Sequence, residues 1–206
     1  AAEGEARAMD AATRAQRMLA EPGQGRIPLI AVTGTNGKTT ATLMIAHAVR
    51  LAGLRTGYTT TQGIFIGDQR VGQGDCTGYW SHRMVLSAPQ VDFAVLETAR
   101  GGLLKRGLAF DSCSVGVMLN VSDDHLGMDG VETVEDLARV KSTVIEVSRT
   151  AVLNADDRHC VAAAKRLRSD ARAIFFSMDA DNPVLRTHLA RGGCGVWLEN
   201  EAIMLS

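Results

Sequence analysis

Short apolar runs alternate with amphipathic helical patterns along most of the chain. The apolar runs predict buried strands at residues 27–33, 91–97, 114–120, 151–154 and 173–177. Apolar positions spaced three and four apart predict helices at residues 39–52, 133–148, 156–168 and 183–191, and turn-flanked runs predict hairpins at residues 63–71 and 195–205. Strands that alternate with helices are typical of a mostly parallel sheet flanked by helices, so the sequence predicts an α/β fold.

The first 25 residues differ from the rest of the chain. An Ala-rich stretch at residues 5–19 predicts a helix, and the Pro- and Gly-containing stretch at residues 21–25 predicts a linker. We therefore expect residues 1–25 to lead out of a preceding domain and residues 26–206 to form one domain. The chain begins without Met, a basic segment or an apolar segment, which predicts no signal peptide, a cytoplasmic location and a cut inside a longer protein.

Composition and charge exclude several classes of protein. Of the 206 residues, 46% are hydrophobic and 22% are charged, and 22 Lys and Arg against 23 Asp and Glu give a net charge of −1. Without a basic surface, and with aromatic residues at only 4%, the chain is not expected to bind nucleic acid. No apolar run approaches the roughly 20 residues of a membrane span. The four cysteines lack the spacing of a metal or redox site, so we expect buried, reduced thiols.

A glycine-containing loop joins the first predicted strand of the domain to its first predicted helix. Its residues are Gly34, Thr35, Asn36, Gly37, Lys38, Thr39 and Thr40. Glycines let backbone N–H groups turn towards phosphate oxygens, a lysine neutralises the outer phosphates, and the hydroxyl that follows is suited to Mg²⁺. Val32 stands where the general phosphate-loop pattern has glycine, so the loop is a variant of that pattern. We predict that the loop binds a nucleoside triphosphate.

Polar residues follow two of the other predicted strands. Glu97 ends one strand, and Asn120 ends another and is soon followed by His125. Ligands bind outside the carboxyl ends of parallel strands, so we expect these groups at the same edge as Lys38. There a carboxylate and a neutral imidazole are candidate Mg²⁺ ligands, and solvated caps and turns are the alternative. The other histidines lack such placement and are predicted to be structural: His47, His82, His159 and His188.

Lys141 lies in the middle of an apolar helix face. It follows Leu137 by four residues and precedes Val144 and Ile145 by three and four. A lysine on such a face costs free energy unless it reaches solvent, pairs or loses its charge. Two interpretations stay open, a side chain that reaches solvent or a neutral, nucleophilic amine suited to chemistry or covalent modification.

Several separated motifs together resemble the ATP-binding central domain of the Mur ligase superfamily. They are residues 32–40, 96–99, 120–127 and 152–157, with the helix that carries Lys141. The phosphate loop of that family also lacks the first glycine, so Val32 supports the resemblance. Further motifs resemble the cyanophycin synthetases within the superfamily, at residues 25–28, 58–61, 99–102, 107–111 and 177–178. Residues 79–82 depart from the Pro-Gln type segment expected there, which affects substrate contact and not the nucleotide site.

The resemblance implies a ligase that works through an acyl phosphate. ATP phosphorylates a carboxylate, an amine attacks, and ADP and phosphate leave. In the cyanophycin synthetases this half joins the α-amine of arginine to the side-chain carboxylate of aspartate on a poly-aspartate or cyanophycin primer. An ATP-grasp half normally precedes such a central domain and a small clamping domain follows it, and we expect the full-length protein to form a homo-oligomer.

The resemblance also implies roles for individual residues. The loop at residues 34–40 would cradle ATP, with Lys38 stabilising the transferring phosphoryl group and Asn154 near the adenine. Thr39 and Glu97 would hold one Mg²⁺, and His125 with a carbamylated Lys141 would hold the second. The candidate catalytic residues are Lys38, Glu97, His125 and Lys141.

Two other functions stay open at this point. One is another Mur-type amino-acid ligase, of the peptidoglycan or folate type. The other is a catalytically silent nucleotide-binding module that serves assembly or regulation. A silent copy would have no chemical need for all four candidate catalytic residues, which favours an enzyme.

Overall fold

The computed structural model describes residues 26–123, 126–127 and 129–206. The predicted leading helix and linker and the candidate ligand His125 lie outside these residues. The strands are β1 (Leu29–Thr33), β2 (Thr56–Thr60), β3 (Gly63–Ile66), β4 (Gln69–Gln73), β5 (Phe93–Glu97), β6 (Cys113–Met118), β7 (Ser148–Asn154), β8 (Arg172–Ser177), β9 (Cys194–Glu199) and β10 (Ala202–Leu205). The helices are α1 (Lys38–Leu51), α2 (Tyr79–Ser87), α3 (Arg100–Arg106), α4 (Val134–Glu146), α5 (Arg158–Ala163) and α6 (Pro183–Ala190), with a 3₁₀ turn at Ala164–Arg166.

One sheet holds the ten strands of the described residues, in the order β10-β9-β8-β7-β6-β1-β5-β2-β3-β4. The seven strands from β9 to β2 in this order run parallel to their neighbours. The strands β3, β4 and β10 add antiparallel pairs at the two edges. The mostly parallel sheet flanked by helices confirms the predicted α/β fold, and both predicted hairpins are present as β3–β4 and β9–β10.

The two faces of the sheet carry separate cores. On β1, Leu29 and Ala31 belong to the core that includes Val85 of α2 and Val144 of α4. A second cluster continues this core beneath α5 and α6. Val32, which follows Ala31, and Ile30, which lies between Leu29 and Ala31, instead pack in the core that includes Ala46 of α1. This alternation of side chains between the two faces fixes the orientation of β1 where it leads into the phosphate loop.

The parallel register brings several strand ends to one edge of the sheet. Val32 of β1 pairs with Glu97 of β5, and Thr33 pairs with Met118 of β6. Met118 in turn pairs with Leu153 of β7. The segments that follow these four strands therefore leave the sheet side by side, which is the placement that the sequence predicts for the polar residues of the site.

The structure adds elements that the sequence pattern does not predict. Strand β2 has the sequence Thr-Gly-Tyr-Thr-Thr and is buried throughout. Because most of its residues are polar, the hydrophobic pattern does not predict a buried strand there. Helices α2 and α3 are also absent from the prediction. The helix predicted from residue 156 begins at Arg158 instead, because the Asp157 carboxylate accepts the N–H groups of His159 and Cys160 and so caps the first turn.

Two predictions from composition concern the cysteines and the absence of a membrane span. Cys76, Cys113 and Cys160 are free and buried, as predicted. Cys194 is free but exposed at the start of β9, so the prediction of a buried thiol is wrong there. Among the described residues no helix has the length and apolar character required to cross a membrane.

Arg26 closes the C-terminal end of α2. Its Nε donates to the Leu86 carbonyl at 3.1 Å, and its terminal nitrogens donate to the Val91 and Ala88 carbonyls at 3.2 and 2.9 Å. The last carbonyls of a helix have no partner within the helix, so one guanidinium satisfies groups that would otherwise need water. Arg26 thereby ties the start of the domain to α2 and to the segment that leads into β5.

We expect Arg26→Ala to lower the free energy of unfolding by about 2–3 kcal/mol, because single hydrogen bonds to a charged donor contribute about 1.5–3 kcal/mol and water replaces part of what is lost. Urea denaturation measures the change. Arg191→Ala, at an exposed arginine after α6, is the matched control and should change stability little. Equal losses in the two variants would contradict this role of Arg26.

Candidate functional site

Two glycines shape the loop between β1 and α1. Gly34 has φ 152° and Gly37 has φ 82°, conformations that residues with a side chain rarely adopt. A Cβ on Gly34 would also lie 3.1 Å from the Cβ of Leu119. Helix α1 then begins at Lys38 with neither a side-chain cap nor an acidic residue in its first turn, where Thr40 is exposed. The backbone N–H groups of that turn are therefore available to an anion such as a phosphate.

Asn120, which follows β6, braces this loop. Its Oδ1 accepts the N–H groups of Thr35 at 3.1 Å and Asn36 at 2.8 Å, and its Nδ2 donates to the Asn36 carbonyl at 3.2 Å. Ser122 adds a second link, since its N–H donates to Thr35 Oγ1 at 3.1 Å. The segment after β6 therefore fixes the shape of the loop, and Asn120 acts on the loop rather than as a solvated cap.

Lys38, Thr39 and Glu97 lie beside one another at the loop. The Lys38 ammonium donates to the Thr35 carbonyl at 2.7 Å, so its side chain folds back over the loop. Thr39 Oγ1 donates to Glu97 Oε2 at 2.9 Å, and the N–H of Thr61 donates to the same oxygen at 3.3 Å. The sequence prediction that strand topology brings Glu97 to the phosphate loop agrees with this geometry.

The Glu97 carboxylate is buried, and within the described part of the chain only one of its two oxygens accepts hydrogen bonds. Its exposed fraction is 0%, and Oε1 has no hydrogen-bond partner among the described residues. Burial raises the pKa of Glu97 above its ordinary value, and the hydrogen bonds from Thr39 and Thr61 and the charge of Lys38 oppose this only in part. A cation close to the free oxygen would stabilise the charged form of this carboxylate.

These oxygens fit a magnesium ion bound together with a nucleotide. Mg²⁺ prefers oxygen ligands, and beside phosphates it commonly takes only one or two protein carboxylates. The Thr39 hydroxyl and the free Oε1 of Glu97 supply such oxygens. The described part of the chain contains no group of three or more His, Cys, Asp or Glu that could hold a metal by itself.

Lys141 approaches the same loop from α4. Its side chain is 2% exposed, and its Nζ donates to the Gly34 carbonyl at 2.8 Å. The interpretation that the Lys141 side chain reaches solvent is wrong, because Lys141 is buried beside Leu137, Val144 and Ile145 on the inner face of α4. The sequence-predicted residues Lys38, Glu97 and Lys141 are thus brought to one loop, whereas His125 lies outside the described residues.

Asn154 lies at the same edge but its side chain already has partners in the protein. Its Nδ2 donates to the Leu119 carbonyl at 2.9 Å, and its Oδ1 accepts the N–H of Asp156 at 2.9 Å. These bonds join the ends of β6 and β7 beside the phosphate loop. Contact between Asn154 and an adenine remains a prediction.

His82 is a neighbour of the site that the sequence analysis does not identify. The prediction treats it as structural, yet its Nε2 lies 2.9 Å from the carbonyl oxygen of Glu97. Burial lowers its pKa to about 4, so the ring is neutral near pH 7. No signal in the sequence shows this contact, because it depends on how α2 packs against the end of β5.

Comparison with known proteins agrees with this arrangement. The family described as Mur ligase middle domain matches residues 32–193. A cyanophycin synthetase of Synechocystis sp. is 50% identical over 178 residues, which are 85% of this chain and 20% of that protein. A UDP-N-acetylmuramoylalanine–D-glutamate ligase of Nitrobacter winogradskyi is 34% identical over 150 residues, 71% of this chain and 28% of that protein.

A solved structure is similar in fold. The structure of UDP-N-acetylmuramoyl-L-alanyl-D-glutamate–2,6-diaminopimelate ligase has a TM-score of 0.65 at 24% identity and covers 82% of this chain and 34% of that one. The chain thus spans about one fifth of the length of the cyanophycin synthetase that it matches. Because the family match runs from β1 to the loop before β9 and contains the phosphate loop and Glu97, the chain belongs to the Mur ligase middle-domain family.

Proposed function

We propose that this chain is the nucleotide-binding domain of an ATP-dependent ligase that joins arginine to the side-chain carboxylate of aspartate on a poly-aspartate or cyanophycin primer. The observation that carries the proposal is the hydrogen bond from half-buried Thr39 to buried Glu97 beside a phosphate loop. The 50% identity to a cyanophycin synthetase, against 34% to a peptidoglycan ligase, supports the choice of substrates.

In this proposal the chain's own residues hold the triphosphate and balance its charge. The N–H groups of residues 34–40 receive phosphate oxygens, and Lys38 moves from the Thr35 carbonyl to the transferring phosphoryl group. Thr39 and Glu97 hold Mg²⁺, which neutralises charge on the phosphates when bound. A carboxylate oxygen of the aspartate side chain attacks the terminal phosphorus, and the bond to ADP breaks.

The second half of the reaction forms the amide. The α-amine of arginine attacks the acyl carbon, the bond to phosphate breaks, and the nitrogen loses one proton. We propose that residues 26–206 form the central domain of the full-length protein, a homo-oligomer in the cytoplasm, and that residues 1–25 lead into this domain. The family match at residues 32–193 supports the position of the domain.

We further propose that Lys141 carries a carbamate and, with His125, holds a second Mg²⁺. A neutral lysine amine attacks CO₂, a nitrogen–carbon bond forms, and one proton leaves. Lys141 is 2% exposed and lies on an apolar helix face. Its 2.8 Å contact with the Gly34 carbonyl places its terminal nitrogen at the phosphate loop. A carboxylate at that position would carry negative charge and could serve as a ligand for the positively charged Mg²⁺.

Release of ADP by the full-length protein tests the proposed reaction. With a primer present, we expect ADP release to depend on arginine and to fall at least 100-fold in Lys38→Ala, because the charge that stabilises the transferring phosphoryl group is gone. Lys165→Ala, at an exposed lysine of the 3₁₀ turn, should behave as wild type. Equal ADP release with and without arginine would overturn the ligase, and an active Lys38→Ala would overturn the role of the loop.

Chemical rescue tests the carbamate. We expect Lys141→Ala to lose at least 100-fold in arginine-dependent ADP release and to regain part of it with acetate or formate, which replaces the missing carboxylate. Lys141→Arg keeps a cation but cannot form the carbamate and should stay inactive. The carbamate is refuted by an active Lys141→Arg, or by absent rescue together with a bare ammonium on a phosphate oxygen in a high-resolution map grown with bicarbonate.

A further inference from the structure

Helix α2 buries two side chains, His82 and Val85, and His82 contacts the backbone at the end of β5. His82 is 1% exposed, and its Nε2 lies 2.9 Å from the Glu97 carbonyl oxygen. A carbonyl oxygen can only accept a hydrogen bond, so the neutral ring carries its proton on Nε2 and donates it. The bond is buried, so its geometry depends on how α2 packs against β5.

The Glu97 carbonyl needs this donor because it lies beyond the end of the strand pairing. Strands β2 and β5 pair only as far as Thr59 opposite Leu96. On the other side of β5, the N–H of Thr98 donates to the Val32 carbonyl at 2.8 Å. His82 therefore replaces the ladder bond that the next residue of β2 would have supplied.

Two further contacts hold the start of α2 against the segment after β5. The N–H of Ala99 donates to the Thr77 carbonyl at 3.4 Å. Gly102 of α3 approaches so closely that a Cβ there would lie 2.8 Å from the Cα of Gly78. The position of His82 is thus set relative to the same strand end that carries the Glu97 side chain.

We propose that His82 is a positioning residue of the nucleotide site, which holds the end of β5 so that the Glu97 carboxylate faces Thr39. The proposal rests on the function proposed above for Glu97. The histidine touches neither phosphate nor metal and acts through the backbone of Glu97. Without the bond, the strand end can rotate and the 2.9 Å contact between Thr39 Oγ1 and Glu97 Oε2 is no longer enforced.

Three variants of the full-length protein test this role. His82→Ala removes the donor, and His82→Gln places an amide N–H near the position of Nε2. His188→Ala is the matched control, because His188 Nε2 bonds the Ala173 carbonyl at 3.1 Å in the same way, on β8 and away from the loop. The measurements are the kcat and KM of arginine-dependent ADP release at several Mg²⁺ concentrations, the unfolding temperature, and amide hydrogen exchange at residues 96–99.

In His82→Ala we expect kcat to fall about tenfold, because one buried hydrogen bond is lost. The Mg²⁺ requirement should rise and the KM for arginine should stay unchanged. Amide hydrogen exchange at residues 96–99 should be faster. His82→Gln should recover kcat to within about threefold. His188→Ala should lower the unfolding temperature without changing kcat, Mg²⁺ requirement or exchange at these residues.

The outcomes separate this proposal from the function on which it rests. Unchanged exchange at residues 96–99 in His82→Ala, or equal kcat losses in His82→Ala and His188→Ala, would overturn the role of His82. Failure of His82→Gln to recover kcat while its unfolding temperature matches wild type would overturn it too. A wild-type protein without arginine-dependent ADP release would overturn the proposed reaction, whereas the exchange result would still decide whether His82 holds the strand end.

Discussion

The buried carboxylate of Glu97 is the constraint on which the rest of the site depends. A carboxylate without access to water costs free energy unless hydrogen bonds and charge compensate it. Thr39 and Thr61 satisfy one oxygen, and the other has no partner among the described residues. In the proposed function, a cation beside phosphates would compensate this free oxygen, and a site with such a group in place is organised in advance for its ligand.

The parallel sheet makes this arrangement possible. Side chains from the ends of neighbouring strands, and from the helices that cover them, act mainly on backbone groups around the phosphate loop. Lys141 donates to Gly34, and Asn120 clamps Thr35. On the side of β5, His82 contacts the carbonyl oxygen of Glu97, which lies beside the loop. The loop is thus held from the segment after β6 and from α4 at once.

Sequence reasoning succeeded where the cause is local or follows from topology. The phosphate loop is predictable because a strand, a glycine turn and a helix occur in direct succession. Glu97 is predictable because parallel strands end at one edge, and the burial of Lys141 follows from helical spacing alone. The contact of Lys141 with Gly34 is different, since no spacing rule gives the residue that meets it across 107 positions of chain.

The hydrophobic pattern of the sequence could not predict three other features of the structure. Strand β2 is buried but rich in threonine, so its residues do not alternate between apolar and polar. The exposure of Cys194 depends on its place at the start of β9, where burial follows from packing rather than residue type. His82 carries no signal because its role arises from the packing of α2 against β5.

The magnesium dependence of arginine-dependent ADP release in Glu97→Gln tests the central claim most directly. The amide keeps the shape of the side chain and can still accept the Thr39 hydroxyl, but it lacks the charge that the proposed cation requires. In the full-length protein we expect a loss of at least 100-fold that raised Mg²⁺ does not restore, with an unfolding temperature no lower than that of wild type, since a costly buried charge is removed. A Glu97→Gln protein with the wild-type rate and the wild-type Mg²⁺ requirement would contradict the account.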